Sequence, residues 1–292
     1  ALRPATCQPL WTRQLPLLGD GMGSLAVADL DADGQPEIVT LADQARLLVL
    51  DAHGDVRARA AQPIVEWNAY SSVLWSAPTI ADVDGQAPPE ILAGGAVARF
   101  QPQPTPHVDI VWSHENKTAP WGSVPLAADL DGDGIAEVIT SDRIFDGKTG
   151  VDKTPPMLAD VPFFAQVADF NLDGRPDLLT VESRREGQVV RVYDLAARRT
   201  LFGPYRAGDG GWGGPAVIAD FDGDGAPDFA LGGWRWFYVY ALRCADADPR
   251  PVGCMGHEPG LLWSRRIDDR SSGSAGAVAF DFNGDGAAEI VY

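Results

Sequence analysis

The sequence predicts an all-β repeat protein assembled from four-stranded units, and three observations lead there. An acidic phrase recurs six times along 292 residues. Each copy lies between two short apolar runs of strand length, bounded by Gly, Pro and Asp. No segment of helical length sustains an apolar period of 3.6 residues. Nine tryptophans and 32 glycines suit a folded, turn-rich chain of this kind.

The first copy reads Asp29-x-Asp31-x-Asp33-Gly34-x-x-Glu37, and the others begin at Asp82, Asp129, Asp169, Asp220 and Asp281, at intervals of 40 to 61 residues. That period is too long for leucine-rich or ankyrin repeats. Leu25-Ala26-Val27 precedes the first copy and Ile38-Val39-Thr40-Leu41 follows it, as two strands joined by a tight loop. Third strands are read at Leu47-Leu48-Val49-Leu50, Val189-Val190-Arg191-Val192-Tyr193 and Trp236-Phe237-Tyr238-Val239-Tyr240. Fourth strands carry a Trp, as in Ile110-Val111-Trp112-Ser113 and Leu261-Leu262-Trp263-Ser264. Four strands in such a unit is the size of a β-propeller blade. The predicted architecture is therefore one domain, residues 1–292, with six blades visible and the last incomplete at Tyr292. Leu10-Trp11-Thr12-Arg13-Gln14-Leu15 resembles a fourth strand and is expected to close the last blade, with room for a seventh in a longer protein.

The chemistry of the phrase is that of a hard-cation site. Carboxylates at positions 1, 3, 5 and 9 converge, a backbone carbonyl at position 7 completes the set, and Gly at position 6 permits the turn. An all-oxygen nest suits Ca²⁺ better than zinc or copper. The predicted ligands are Asp29, Asp31, Asp33, Gln35 and Glu37; Asp129, Asp131, Asp133, Ile135 and Glu137; Asp169, Asn171, Asp173, Arg175 and Asp177; Asp220, Asp222, Asp224, Ala226 and Asp228; and Asp281, Asn283, Asp285, Ala287 and Glu289. The second copy puts Gln86 and Ala87 at positions 5 and 6, so Asp82, Asp84 and Glu90 are expected to bind metal weakly or not at all. An EF-hand is excluded, since it needs flanking helices and a Glu at position 12, where these loops have Thr40, Thr140 or Leu231.

Charge agrees. The six phrases hold 21 of the 41 acidic residues, and five divalent ions would bring the net charge from −18 to −8. The same acidity, without a basic stripe, excludes nucleic acid as a partner. No apolar run reaches the roughly 18 residues of a membrane span. Residues 1–9 lack the basic and apolar regions of a secretion signal, which leaves a cytosolic chain or one whose signal has been removed.

The phrase resembles the FG-GAP and VCBS repeats of integrin α chains and of many bacterial surface or secreted proteins. Trp121-Gly122-Ser123 and Trp212-Gly213-Gly214 sit where the Phe-Gly of that repeat begins, and Leu92-Ala93-Gly94-Gly95 and Leu231-Gly232-Gly233 where Gly-Ala-Pro ends. The resemblance implies a propeller with about five structural Ca²⁺ in the loops joining the first and second strands of its blades. It implies that partners bind the opposite face. The expected function is an extracellular, cell-surface or secreted, calcium-stabilised binding and adhesion scaffold for a protein or glycan. The alternatives are a glycan-specific lectin and a calcium-dependent polysaccharide lyase.

No catalytic pattern competes. Four histidines form no zinc motif, and no Gly-x-Ser-x-Gly elbow occurs. Gly208-x-Gly210-x-x-Gly213 precedes a strand, not the helix that dinucleotide binding needs. Candidate partner residues opposite the calcium loops are Trp67, Tyr70, Trp75, His114, Trp121, Tyr205, Arg206, Trp212 and Arg270, whose aromatics read equally as wedges between blades. Trp234, Trp236, Tyr238 and Tyr240 alternate and read as packing. Cys244 and Cys254 read as a local disulfide or as free thiols, with Cys7 left over, and residues 243–260 as an insert between third and fourth strands.

Overall fold

The apolar runs flanking each acidic phrase become strands, and the phrase becomes the loop of a β-hairpin. The computed structural model describes residues 1, 6–15, 24–42, 45–64, 76–114, 124–158, 161–184, 187–207, 214–245, 251–255, 258–269 and 276–292. The first sheet holds β1 (Ala26–Ala28), β2 (Glu37–Ala42), β3 (Arg46–Leu50) and β4 (Val56–Arg59). The second holds β5 (Thr79–Ala81), β6 (Glu90–Ala93), β7 (Ala96–Gln101) and β8 (His107–Ser113). The third holds β9 (Leu126–Ala128), β10 (Glu137–Ile139) and β11 (Ile144–Asp146). The fourth holds β12 (Phe163–Ala168), β13 (Asp177–Arg184), β14 (Gly187–Asp194) and β15 (Arg199–Ala207). The fifth holds β16 (Val217–Ala219), β17 (Asp228–Gly232), β18 (Trp236–Tyr240) and β19 (Leu261–Arg266), and the sixth only β20 (Val278–Phe280) and β21 (Glu289–Val291). Every pairing with a recorded register is antiparallel and sequential, as short hairpin connections dictate.

Contacts divide the described chain into two compact units, residues 1–127 with 134–160, and residues 128–133 with 161–292. In the first unit, Val39, Leu41, Leu47 and Val49 of the first sheet pack on Ile91, Ala98 and Phe100 of the second. The opposite face of the second sheet, through Leu92 and Val97, packs on Val138. In the second unit, Leu179, Val181, Val190 and Phe202 pack on Phe229, Tyr238 and Tyr240. Ala230, Phe237 and Val239 turn the other way, toward Ala279 and Ile290. Sheets covered on both faces explain why β3 reads as an unbroken apolar run instead of an alternating one.

Two expectations give way. The third repeat has a single bridge, Phe145 to Asp152, in place of a fourth strand. Pro155 and Pro156 follow at once, and neither offers the N–H that a ladder needs. Residues 11–15 form no strand either. Instead Trp11 donates from Nε1 to the Ala52 carbonyl at 2.9 Å, and Arg13 from Nε to the Gly54 carbonyl at 2.7 Å, both on the β3–β4 turn.

Trp112 on β8 does the same on the turn after β11. Its Nε1 donates to the Gly147 carbonyl at 2.8 Å. Its ring lies where a Cβ on Gly150, at φ +71°, would come within 2.8 Å. The shared geometry makes each Trp a wedge that ties one segment to the 3–4 turn of a sheet. Trp112→Phe, which keeps a ring and loses the donor, is expected to cost about 1 kcal/mol. Trp112→Ala is expected to cost about 3 kcal/mol, both read by urea unfolding; equal losses would mean that the indole N–H contributes nothing.

Candidate metal centres

Each acidic loop folds around its own carboxylates. The position-1 acid accepts backbone N–H groups from the turn, as Asp220 does from Gly223 and Gly225 at 2.6 and 2.8 Å. The position-3 side chain accepts from residue 5, as Asn171 does from Asp173 N at 2.9 Å. The position-5 acid accepts from residue 7, as Asp33 does from Gln35 N at 2.8 Å and Asp285 from Ala287 N at 2.9 Å. Such turns need left-handed residues, and Gly34 and Gly225 supply φ of +86° and +88° at position 6.

Position 9 closes the loop from within the sheet. Glu37, Glu90, Asp177 and Asp228 are no more than 2% exposed. They accept from the backbone N–H of position 2, at Leu30 (2.9 Å), Val83 (3.1 Å), Phe170 (3.0 Å) and Phe221 (3.0 Å). Glu289 accepts from Phe282 N at 2.8 Å. The same bond holds Leu30, Val83, Phe170 and Phe221 in the core, whereas Phe282 of the sixth loop stays 62% exposed.

Among the described residues, four loops bring three carboxylate oxygens within 4.8 Å of one another: Asp29, Asp31 and Asp33; Asp82, Asp84 and Glu90; Asp129, Asp131 and Glu137; and Asp220, Asp222 and Asp228. The second loop, expected to be the weak one, is among them. The fourth and sixth loops, each with Asn at position 3, do not assemble such an acidic trio among the described residues. The donors are oxygen throughout, and they fit a hard divalent cation.

Positive charge from the protein already points into these nests. Arg57 on β4 donates from Nη1 to Asp31 at 2.9 Å and to Glu37 at 2.7 Å. Arg99 on β7 donates to Glu90 from Nε at 3.0 Å and to Asp84 from Nη2 at 2.8 Å. Lys153 donates to Glu137 at 2.7 Å. Arg243, at the head of the insert, donates to Asp222 at 2.8 Å and lies 3.1 Å from Asp224. Sequence reasoning missed all four, because they enter from elsewhere in the chain at no fixed spacing. A guanidinium bonded to two of three acids, in a loop without a position-5 carboxylate, makes the second loop the one best neutralised by the protein itself.

The fourth loop borders a cleft of about 330 Å³ lined by Asp173, Arg175, Asp194, Ala196 and Ala197. Arg175, whose carbonyl is the expected ligand, turns its guanidinium over Gly132 of the third loop. Loops five and six are joined by Ala288 N donating to the Asp220 carbonyl at 2.8 Å. The insert carries a Cys244–Cys254 disulfide, and Cys7 is free and exposed.

Of the candidate partner residues, Trp67, Tyr70, Trp75, Trp121, Trp212 and Arg270 lie outside the described residues. His114 stacks on Phe145 with ring centroids 4.4 Å apart, and its Nε2 is 2.7 Å from the Gly150 carbonyl, which is a packing role. Tyr205 is half-buried, edge-on to Phe202, and Arg206 is exposed. The alternating aromatic stripe splits: Tyr238 and Tyr240 are buried, whereas Trp234 and Trp236 stay 50% and 39% exposed.

Burial pushes Asp228 from 3.8 up to about 7 against the Phe221 N–H, with help from the charges of Asp222, Asp224 and Asp220. Burial likewise lifts Asp177 to about 6. The raised values mean that the folded, metal-free state disfavours ionised Asp228. This group's contribution is therefore most favourable below pH 3.8 and is lost as pH rises through about 7. In chelator, Asp228→Asn is expected to melt near the parent at pH 4–5 and above it at pH 8, with the order reversed in calcium. A parent–variant gap independent of pH in chelator would contradict the assignment. Backbone strain supplies a second check. Position 4 is left-handed in all six loops, and in the fourth it is Leu172, at φ +58° and 62% exposed. Leu172→Gly is expected to stabilise by about 0.5 kcal/mol, relief of the left-handed penalty exceeding the entropy that Gly adds to the unfolded chain; a lower melting temperature would refute it.

Residues 158–231 match a family model described as an FG-GAP-like repeat. Among solved structures, the V. cholerae biofilm matrix protein Bap1 is 15% identical, with a TM-score of 0.64 over 91% of this chain and 65% of its own. The rhamnogalacturonan lyase YesW is 17% identical, with a TM-score of 0.51 over 75% of this chain and 45% of its own. The Bacillus licheniformis rhamnogalacturonan lyase PL11 is 16% identical, with a TM-score of 0.53 over the same shares, 75% and 45%. This chain thus spans less than two thirds of the length of each, and likeness at these identities concerns fold. No curated protein matches the sequence.

Proposed function

We propose that this chain, which carries an FG-GAP-like repeat at residues 158–231 within a series of antiparallel sheets, is an extracellular adhesion scaffold. In this reading its sheets are the blades of a propeller stapled by Ca²⁺. The observation that carries it is the assembly of carboxylate oxygens within 4.8 Å of one another in hairpin loops of one design. The arginine or lysine at the first, third and fifth loops offsets part of the charge of their four carboxylates, and a divalent ion balances more of it. Five loops supply the ligands: those starting at Asp29, Asp129, Asp169, Asp220 and Asp281. Asp82, Asp84 and Glu90 hold Arg99 in place of an ion.

Calcium is abundant outside cells, where modules work with Kd near 10⁻⁴–10⁻³ M. The fold likeness to a biofilm matrix protein supports the extracellular placement. Among the described residues no helix is long and apolar enough to cross a membrane. We read the chain as non-enzymatic: the loop acids are committed to loop closure and cation contacts, and the likeness to lyases concerns fold.

A site saturated 100-fold adds about 2.7 kcal/mol. Excess EGTA is therefore expected to lower the melting temperature by about 5 °C or more per site lost, and Arg99→Gln to leave the size of that calcium effect unchanged. A melt indifferent to EGTA would sink the proposal.

A further inference from the structure

We infer that the β17–β18 turn of the fifth sheet is a binding platform for a uronate-bearing glycan, built from Trp234, Trp236 and Arg266. The inference rests on the scaffold reading above and gives it a partner. β17 runs away from the fifth acidic loop, so this turn lies at the end of the sheet opposite that loop.

The turn is held firmly. Gly233 N donates to the Trp236 carbonyl at 2.8 Å, and Ile267 N to the Arg235 carbonyl at 2.7 Å. Gln188, fully buried on β14, donates from Nε2 to the Gly232 carbonyl at 2.7 Å, so the fourth sheet, on whose side Trp236 lies, braces the turn. Next along β18, Tyr238 and Tyr240 belong to the core. Trp236 continues that face outward from the core, and Trp234 precedes it in the turn. Trp234 is 50% and Trp236 39% exposed. Arg266 pairs directly across from Trp236, on the same face, and is exposed.

Those three groups define the ligand chemistry. An exposed indole face stacks on the C–H face of a pyranose. A guanidinium in the adjacent cross-strand position bonds a carboxylate through two parallel N–H donors. A chain of net charge −18 repels polyanions broadly, so a local cation beside aromatic rings selects a carboxylate presented on an apolar ring. Size favours a sugar over a protein. Two indoles at these exposures offer about 200 Å², a few rings' worth, against about 800 Å² per partner in a stable protein interface.

The test titrates the full chain with tri-galacturonate and, in parallel, with maltotriose and a Glu-rich peptide, following Trp fluorescence and calorimetry at fixed low calcium. Tri-galacturonate is expected to bind. Arg266→Gln is expected to weaken it at least tenfold, and Trp234→Ala with Trp236→Ala to abolish measurable binding. Melting in calcium and in EGTA is read on every variant. Unchanged calcium stabilisation with lost sugar binding supports the platform and leaves the scaffold reading intact. Absence of binding at 10 mM tri-galacturonate, equal binding of maltotriose, preference for the peptide, or variants that bind as the parent does would each overturn it.

Discussion

The ninth-position carboxylate is buried at the root of the hairpin in the first, second, fourth and fifth acidic loops, and is bonded there to the backbone N–H of the loop's second residue. It is this bond that converts an Asp-rich phrase into a tight loop, because it draws the loop's two ends together and drives an apolar side chain into the core. The consequence is electrostatic. Closing the loop gathers further carboxylates around a buried negative charge, and at separations below 4.8 Å their repulsion is large in a medium less polarisable than water. Backbone N–H groups turned inward and a guanidinium or ammonium from elsewhere in the chain relieve that repulsion, and the all-oxygen donor set suits a divalent ion. Burial first, and the charges of neighbouring acids after it, raise the proton affinity of Asp177 and Asp228.

Much of this was legible in the sequence, and the reason is local. Positions 1, 3, 5, 6 and 9 interact within nine residues, so a written pattern suffices to foresee the loop, its glycine and the hairpin around it. The apolar runs at 38–41, 47–50 and 189–193 became strands for the same reason. What the sequence hid is non-local. Arg57 and Lys153 reach the ninth-position acid from 20 and 16 residues away, and Arg99 from 9, two of them on strands and Lys153 outside any. No spacing rule captures all three. The segment at Leu10 to Leu15 imitated a fourth strand because it shares the Trp, yet the Trp serves the turn contact and does not require strand pairing. The aromatic stripe at 234–240 misled in another way. Its alternation is genuine, but the sheet buries only its inner half, and periodicity does not say where a core ends.

The second loop shows how sequence departure and structure agree on a different level. Losing the fifth-position acid and the sixth-position glycine removes one negative charge and one turn device. The loop still closes through Glu90, and Arg99 then satisfies two of its three acids. A guanidinium here meets two of the three acids, so the repeat keeps its closing bond without keeping the full set of acids. A repeat protein tolerates this because each sheet packs mainly on its neighbours.

The most direct test is diffraction from crystals grown with calcium or terbium, using the anomalous signal to locate ions independently of refinement. Peaks are expected in the loops at 29–37, 129–137, 169–177, 220–228 and 281–289, ligated by the first, third, fifth and ninth side chains and the seventh carbonyl, and none at 82–90. Loops that close as described but hold no ion at millimolar metal, with Arg57, Lys153 and Arg243 still bonded to the acids, would contradict it.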